Sequence, residues 1–161
     1  MALRIIRNYY DTLLRKKSKP VKAFDSKLHI LLDDMLETMR SVNGLGLAAP
    51  QVGALRRVII IEHEEVLYEL INPEIVEANG TQSRPEACLS IPGKNGIVER
   101  PEYIKVKACN RNGEEITVEG GELFAVALSH EIDHLNGILY TDKATEIFDV
   151  DANAENEESI E

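Results

Sequence analysis

The chain has 161 residues, 43% of them apolar and 29% charged, which is enough for the core of one ordinary domain and too apolar for a disordered segment. Its 18 Lys and Arg against 28 Asp and Glu give a formal charge of -10, which argues against DNA, other nucleic acid or an anionic membrane as the main partner, because each selects basic surfaces. Two cysteines, Cys88 and Cys109, cannot make a disulfide framework. The start, MALRIIRNYYDTLLRKK, is basic without a continuous apolar stretch, and no run approaches bilayer length. A cytoplasmic protein without a leader or membrane span is therefore expected.

In chain order, the segment up to Val21 is mixed and basic (Arg15, Lys16, Lys17, Lys19) and reads as an extended arm with one turn. From Asp25 the pattern turns helical. Leu28, Leu31, Leu32, Met35, Met39 and Val42 recur at three- and four-residue spacing and make one apolar stripe. Asp25 or Ser26 supplies the N-cap and Asn43-Gly44 the stop. Residues 57–61 (RVIII) form a β-branched run, expected as a buried strand. Residues 68–76 form a second strand region interrupted at Pro73, which predicts an edge or a bend. Residues 103–109 alternate cleanly, Asn112-Gly113 turns the chain, and residues 115–118 return as a hairpin. Gly120-Gly121 is expected to break that strand, and residues 122–136 form a second helix closed by Gly137. Strands dominate the middle and a helix lies at each end, so the fold class is α+β rather than alternating βαβ. Residues 1–148 are expected to form one domain. Residues 149–161 hold six acids and no base and read as an acidic, disordered tail, which leaves 22 acids against 18 bases in the body.

The sharpest chemical signal is HEIDH, residues 130–134. On a helix, side chains four apart lie about 6 Å from each other on one face, so His130 and His134 can close on one metal ion. Glu131 sits roughly 100° round the helix from His130, placed to handle protons without being a ligand. The surrounding residues are mostly apolar, and buried histidines and a buried glutamate need partners that a metal provides. A catalytic divalent metal takes three protein ligands and keeps an open position. Upstream, Cys88 lies in EACLS, close to Pro85 and Pro92; by itself it reads equally as a ligand in a rigid loop or as a small core thiol. Cys109, in its alternating strand, reads as core. A third segment, GLGLAAPQ, follows the first helix. Its glycines and alanines permit close backbone approach to a ligand, and Gln51 ends it with a neutral amide. It lacks the lysine of a phosphate-binding loop and follows no strand, and taken alone it is a helix cap and a tight connection.

Together, GLGLAAPQ, EACLS and HEIDH, in this order and at these intervals, resemble the three signature motifs of peptide deformylases, over essentially the whole body of the chain. The resemblance implies an α+β fold in which small antiparallel sheets pack around a central, metal-bearing C-terminal helix. It implies a metal-dependent hydrolase that takes the formyl group from N-formyl-methionyl nascent peptides and releases formate. By the same resemblance Cys88, His130 and His134 hold the metal, Glu131 handles protons, and Gln51 with the Leu89 backbone N–H binds the oxyanion. Ferrous iron, Fe2+, is the implied metal, with Zn2+, Ni2+ or Co2+ able to substitute; spacing alone does not choose, since imidazole and thiolate suit zinc and iron alike. An apolar pocket for the substrate methionine is expected from Gly44, Gly46, Leu47, Leu89 and Ile132, with Leu128 a further candidate. Glu86 is expected to tie down its loop through Arg100 or another cation. The chain is expected to act as a monomer. Its acidic tail suits ribosomal RNA poorly, so a transient ribosome contact is expected to use the body or a ribosomal protein.

The chain departs from the deformylase pattern at three places. Ala87 stands where glycine is usual, Ser129 where glutamine is common, and Asn95 where an arginine often holds the peptide. A zinc endopeptidase would draw its third ligand from Glu155, Glu157 or Glu158, and a non-catalytic metal-stabilised module would keep no open coordination site. His29 and His63 are left without a role, and Met35 and Met39 belong to the first helix's core stripe.

Overall fold

The computed structural model describes residues 2–150. An N-terminal arm with a short 3-10 turn, Thr12–Arg15, leads into α1 (Ser26–Ser41). Three strands follow, β1 (Gly46–Ala48), β2 (Val58–His63) and β3 (Val66–Asn79), with a 3-10 turn, Ala49–Val52, between the first two. Then come β4 (Gln82–Cys88), β5 (Ile91–Arg100), β6 (Tyr103–Cys109), β7 (Glu115–Gly121), α2 (Glu122–Leu135), a 3-10 turn Tyr140–Asp142, and β8 (Glu146–Asp149). The strands make a five-stranded sheet in the order β1-β2-β3-β6-β7 and a three-stranded sheet in the order β4-β5-β8, and every pairing within them is antiparallel. This is the α+β arrangement expected. No helix among the described residues is long and apolar enough to cross a membrane.

The apolar periodicities explain the layers. In α1 the stripe Leu28, Leu31, Leu32, Met35 and Met39 is buried against Val58, Ile60 and Ile71 on one face of the five-stranded sheet. Ile59, Ile61, Leu70, Ile104 and Val106 face the other way and meet Phe124, Leu128, Ile132 and Leu135 of α2. Strand β2 is therefore covered on both sides, which is why RVIII reads as a continuous apolar run without alternation. Burying each side chain of this size stabilises the fold by about 1.5–3 kcal/mol. A third cluster, Leu14, Cys88, Ile91, Val98, Leu139 and Tyr140, lines the three-stranded sheet. Helix α2 thus runs between the two sheets.

Several elements depart from the sequence expectation. Asp25 caps α1, its carboxylate accepting the Leu28 N–H at 3.1 Å, but the apolar stripe ends at Met39 because Val42 is the C-cap residue and 45% exposed. At Pro73 the expected bend is present, in an inner strand rather than an edge, and β3 continues to Asn79. Its register shifts between Ile71 and Glu74, where it leaves β2, and Asn72 takes φ 53° while its side chain exchanges hydrogen bonds with both backbone groups of Val21. That bulge absorbs the residue that cannot donate. Gly120 and Gly121 do not break β7 but complete it. A Cβ on Gly120 would stand 2.7 Å from Phe124 Cδ2, so the glycine serves close packing of the strand on the helix. Strands β4, β5 and β8 were not expected at all, and EACLS is a strand end and turn rather than a loop. Asp149, assigned above to the tail, closes β8 and pairs with Lys94 at 2.7 Å. The rest of the expected acidic tail, residues 151–161, lies outside the described residues.

Candidate active site

The site forms where β4 ends against the middle of α2. Cys88 is the last residue of β4, and Leu89-Ser90 make a two-residue turn that brings Ile91 of β5 opposite it. His130 and His134 lie one helical turn apart on α2, their ring centroids 5.1 Å from each other. One donor atom from each of Cys88, His130 and His134 falls within 4.8 Å of the others, and all three residues are buried. Cys88 Sγ and His134 Nε2 are 3.4 Å apart.

This trio fits a divalent cation by its own chemistry. The His130 Nδ1–H donates to Glu86 Oε1 at 2.9 Å, which turns Nε2 and its lone pair inward. That Nε2 is buried on the Cys88 side, where a cation shared with the sulfur would take its lone pair. Burial drives the His134 pKa well below its usual range, so its ring is neutral and able to ligate. Thiolate and imidazole together suit iron and zinc and disfavour magnesium or calcium.

Glu86 is itself held from the far side. Arg100 Nε donates to Glu86 Oε2 at 2.8 Å and Nη2 to Oε1 at 2.9 Å, while Nη1 reaches Asp133 Oδ2 at 2.7 Å. Lys143 then pairs with Asp133 at 3.0 Å. Burial acts to raise the Glu86 pKa, but the hydrogen bonds from Arg100 and His130 outweigh it and keep the carboxylate ionised. Glu131 has no such support. It is 1% exposed, its Oε1 has no hydrogen-bond partner, and burial pushes its pKa up to about 7.

Gln51 comes in from the 3-10 turn after β1. Its Oε1 accepts the Ala48 N–H at 2.9 Å, while Nε2 lies 3.1 Å from Ser90 Oγ and 3.6 Å from Cys88 Sγ. Leu89 stands beside Gly44, where a Cβ would come within 2.9 Å of Leu89 Cδ1. Gly46 pairs with Ile61 in β1, an edge strand of the larger sheet. The Leu47 side chain is buried between α1 and the sheet, and Leu128 and Ile132 are buried between α2 and the sheet. The structure thus brings Gln51, Cys88, Leu89, His130, Glu131 and His134 to one place, with Gly44 bordering it at Leu89, while Leu47 and Leu128 serve the core.

Comparison with known proteins decides among the alternatives. The family model described as polypeptide deformylase matches residues 3–148. The chain belongs to the polypeptide deformylase family. It is 59% identical over 151 residues to the peptide deformylase of Acetivibrio thermocellus, covering 94% of this chain and 89% of that one. It is 57% identical over 143 residues to the peptide deformylase of Alkaliphilus metalliredigens, covering 89% and 97%. Among solved structures, the peptide deformylase of Thermotoga maritima superposes with a TM-score of 0.88 at 39% identity, covering 91% of this chain and 100% of that one.

The three departures from the deformylase pattern are all buried. Ala87 lies at the irregularity of register between Glu86 and Cys88. Ser129 is 5% exposed and its Oγ has no hydrogen-bond partner. Asn95 is 3% exposed and pairs with Phe148 across β5 and β8. The acids that an endopeptidase would need, Glu155, Glu157 and Glu158, lie outside the described residues. Sequence reasoning paired Glu86 with Arg100 but did not find the Glu86 contact with His130, the Asp133–Arg100 link or the place of Ser90. An HEIDH aspartate three residues after a ligand, and a serine two after the cysteine, were the available signals. An open cavity of about 610 Å³ near the start of α2 is lined by His63, Tyr103, Leu123 and others and contains none of the candidate ligands.

Proposed function

We propose that Cys88, His130 and His134 hold the divalent metal with which this deformylase removes the formyl group from N-formyl-methionyl nascent peptides. In the same reading Glu131 moves the protons, and the Gln51 amide with the Leu89 backbone N–H receives the negative charge that develops on the formyl oxygen. The observation that carries this is the convergence of three buried donor atoms beside a buried carboxylate whose Oε1 has no hydrogen-bond partner.

The metal, when bound, supplies Lewis acidity and makes water a better nucleophile at neutral pH. The chain's own residues do the remainder. Glu131 is buried next to His130 and is not needed as a ligand, so it suits taking a proton from the attacking water and giving it to the leaving amine. The products are formate and a free α-amino group, and Glu131 ends as it began. Gln51 is held at both ends of its amide before the reaction starts, so it stabilises developing charge without reorganising.

Ferrous iron is the native metal in this reading, and it carries a liability, because ferrous iron beside a thiolate is prone to oxidation. Nascent chains as substrate are consistent with a cytoplasmic monomer that meets the ribosome only in passing. The test is direct. Glu131→Ala is expected to bind one equivalent of metal like the parent protein and to release formate from a formyl-Met peptide at least about 10²–10⁴-fold more slowly. Retained turnover would remove Glu131 from its role, and lost metal would make it a structural residue.

A further inference from the structure

We infer that Ser90 is a positioning residue for the reaction, its hydroxyl holding the Gln51 amide so that one N–H of that amide faces the metal site. The inference rests on the reading of Gln51 as an oxyanion donor and deepens it.

The amide's orientation follows from its partners. The Ala48 N–H can only donate, so the group it meets at 2.9 Å is the Gln51 oxygen. The NH2 end therefore points to Ser90 Oγ at 3.1 Å and Cys88 Sγ at 3.6 Å. A primary amide has two hydrogens. With one directed at the serine oxygen, the other is turned toward Cys88, where the metal and the formyl group would sit. Sulfur is a weaker acceptor than a hydroxyl oxygen, so the serine is the stronger of the two anchors on that side. The last torsion of glutamine is broad, and Ser90 confines it. Neither partner faces bulk solvent, Ser90 being 0% exposed and Gln51 1%.

The main chain supports the same geometry. The Arg7 N–H donates to the Gln51 carbonyl at 2.7 Å and the Tyr9 N–H to the Ser90 carbonyl at 2.9 Å. Residues two apart on one extended arm thus tie both backbones at a fixed spacing. Gln51 and Ser90 lie 39 residues apart in the chain, and the arm makes them neighbours.

The test uses the zinc-loaded, 15N-labelled enzyme and the variant Ser90→Ala. In the parent, one hydrogen of the Gln51 side-chain amide should exchange slowly with solvent. In Ser90→Ala that protection should be lost and the resonances broadened, with metal stoichiometry unchanged. Unaltered resonances would overturn the inference. Kinetically, Ser90→Ala should lower kcat about tenfold, part of the 10²–10³ typical for losing one such donor, with KM within about twofold. In a Gln51→Ala background the same change should have no further effect. An equal loss in both backgrounds would show that Ser90 acts without Gln51 and overturn the inference. Full kcat in Gln51→Ala would instead overturn the oxyanion reading itself, and with it any catalytic bearing of Ser90.

Discussion

Arg100 shows how much of a metal site is settled by side chains that never touch the metal. Its guanidinium is 3% exposed and donates to Glu86 through two nitrogens and to Asp133 through the third. Glu86 then fixes the ring of His130 through Nδ1, and so fixes which nitrogen faces Cys88. A planar fork suits this task where a lysine would not, since one ammonium cannot span Glu86 and Asp133 with the same directed pairs. Removing the cation would leave the fully buried Glu86 carboxylate with His130 Nδ1–H as its remaining partner and no compensating charge from Arg100. Breaking a buried pair in this way costs about 3–5 kcal/mol. Arg100→Met is therefore expected to unfold at markedly lower urea concentration and to bind zinc about 10–100-fold more weakly in a competition titration. Zinc affinity equal to the parent's would show that the link from Arg100 to His130 does not orient the ligand.

At the scale of elements, β2 is the strand on which both halves of the domain rest. Ile60 faces α1 and Ile59 faces α2, and both are 0% exposed. Loss of one methylene from either, as in Ile60→Val or Ile59→Val, should cost about 0.5–1.5 kcal/mol in urea unfolding. Only a strand covered on both faces predicts similar costs at neighbouring positions. A negligible cost at either would argue against the layered arrangement. Elements of this kind were legible because periodicity reports local burial: α1 by its stripe, β2 by its β-branched run, and β6 with β7 by alternation around Asn112-Gly113. Strands β4, β5 and β8 were not legible. Pro85, Gly93 and Gly96 interrupt any period in the β4–β5 hairpin, and β8 is defined by pairing with β5 from far along the chain. Pro85 is tolerated because β4 is an edge of its sheet. The site divides in the same way. The histidines are four apart on one helix and announce themselves, whereas Ser90 and the Arg7 and Tyr9 amides matter through partners that the sequence does not place beside them.

For the whole molecule, the proposed metal site is a joint between layers. Cys88 belongs to the three-stranded sheet, whereas His130 and His134 belong to a helix packed on the five-stranded sheet. The unfolded chain holds no such convergence of donors, so a cation binds mainly the native state and stabilises it by mass action. At a free zinc concentration about 100 times the dissociation constant, the gain is about 2.7 kcal/mol. For a domain of this length that corresponds to a rise in Tm of about 5–10 °C. Chelation should remove the gain, and Cys88→Ala should reduce it by weakening the zinc, because the two histidines alone would still share one helix. Those histidines can close on a metal without the sheets being docked, so the comparison isolates the joint itself. A zinc-dependent shift in Tm that survives Cys88→Ala unchanged would mean that the ion is held by α2 alone and ties no layers together. A shift that vanishes with the cysteine would show the same ion serving the chemistry and the assembly of the fold.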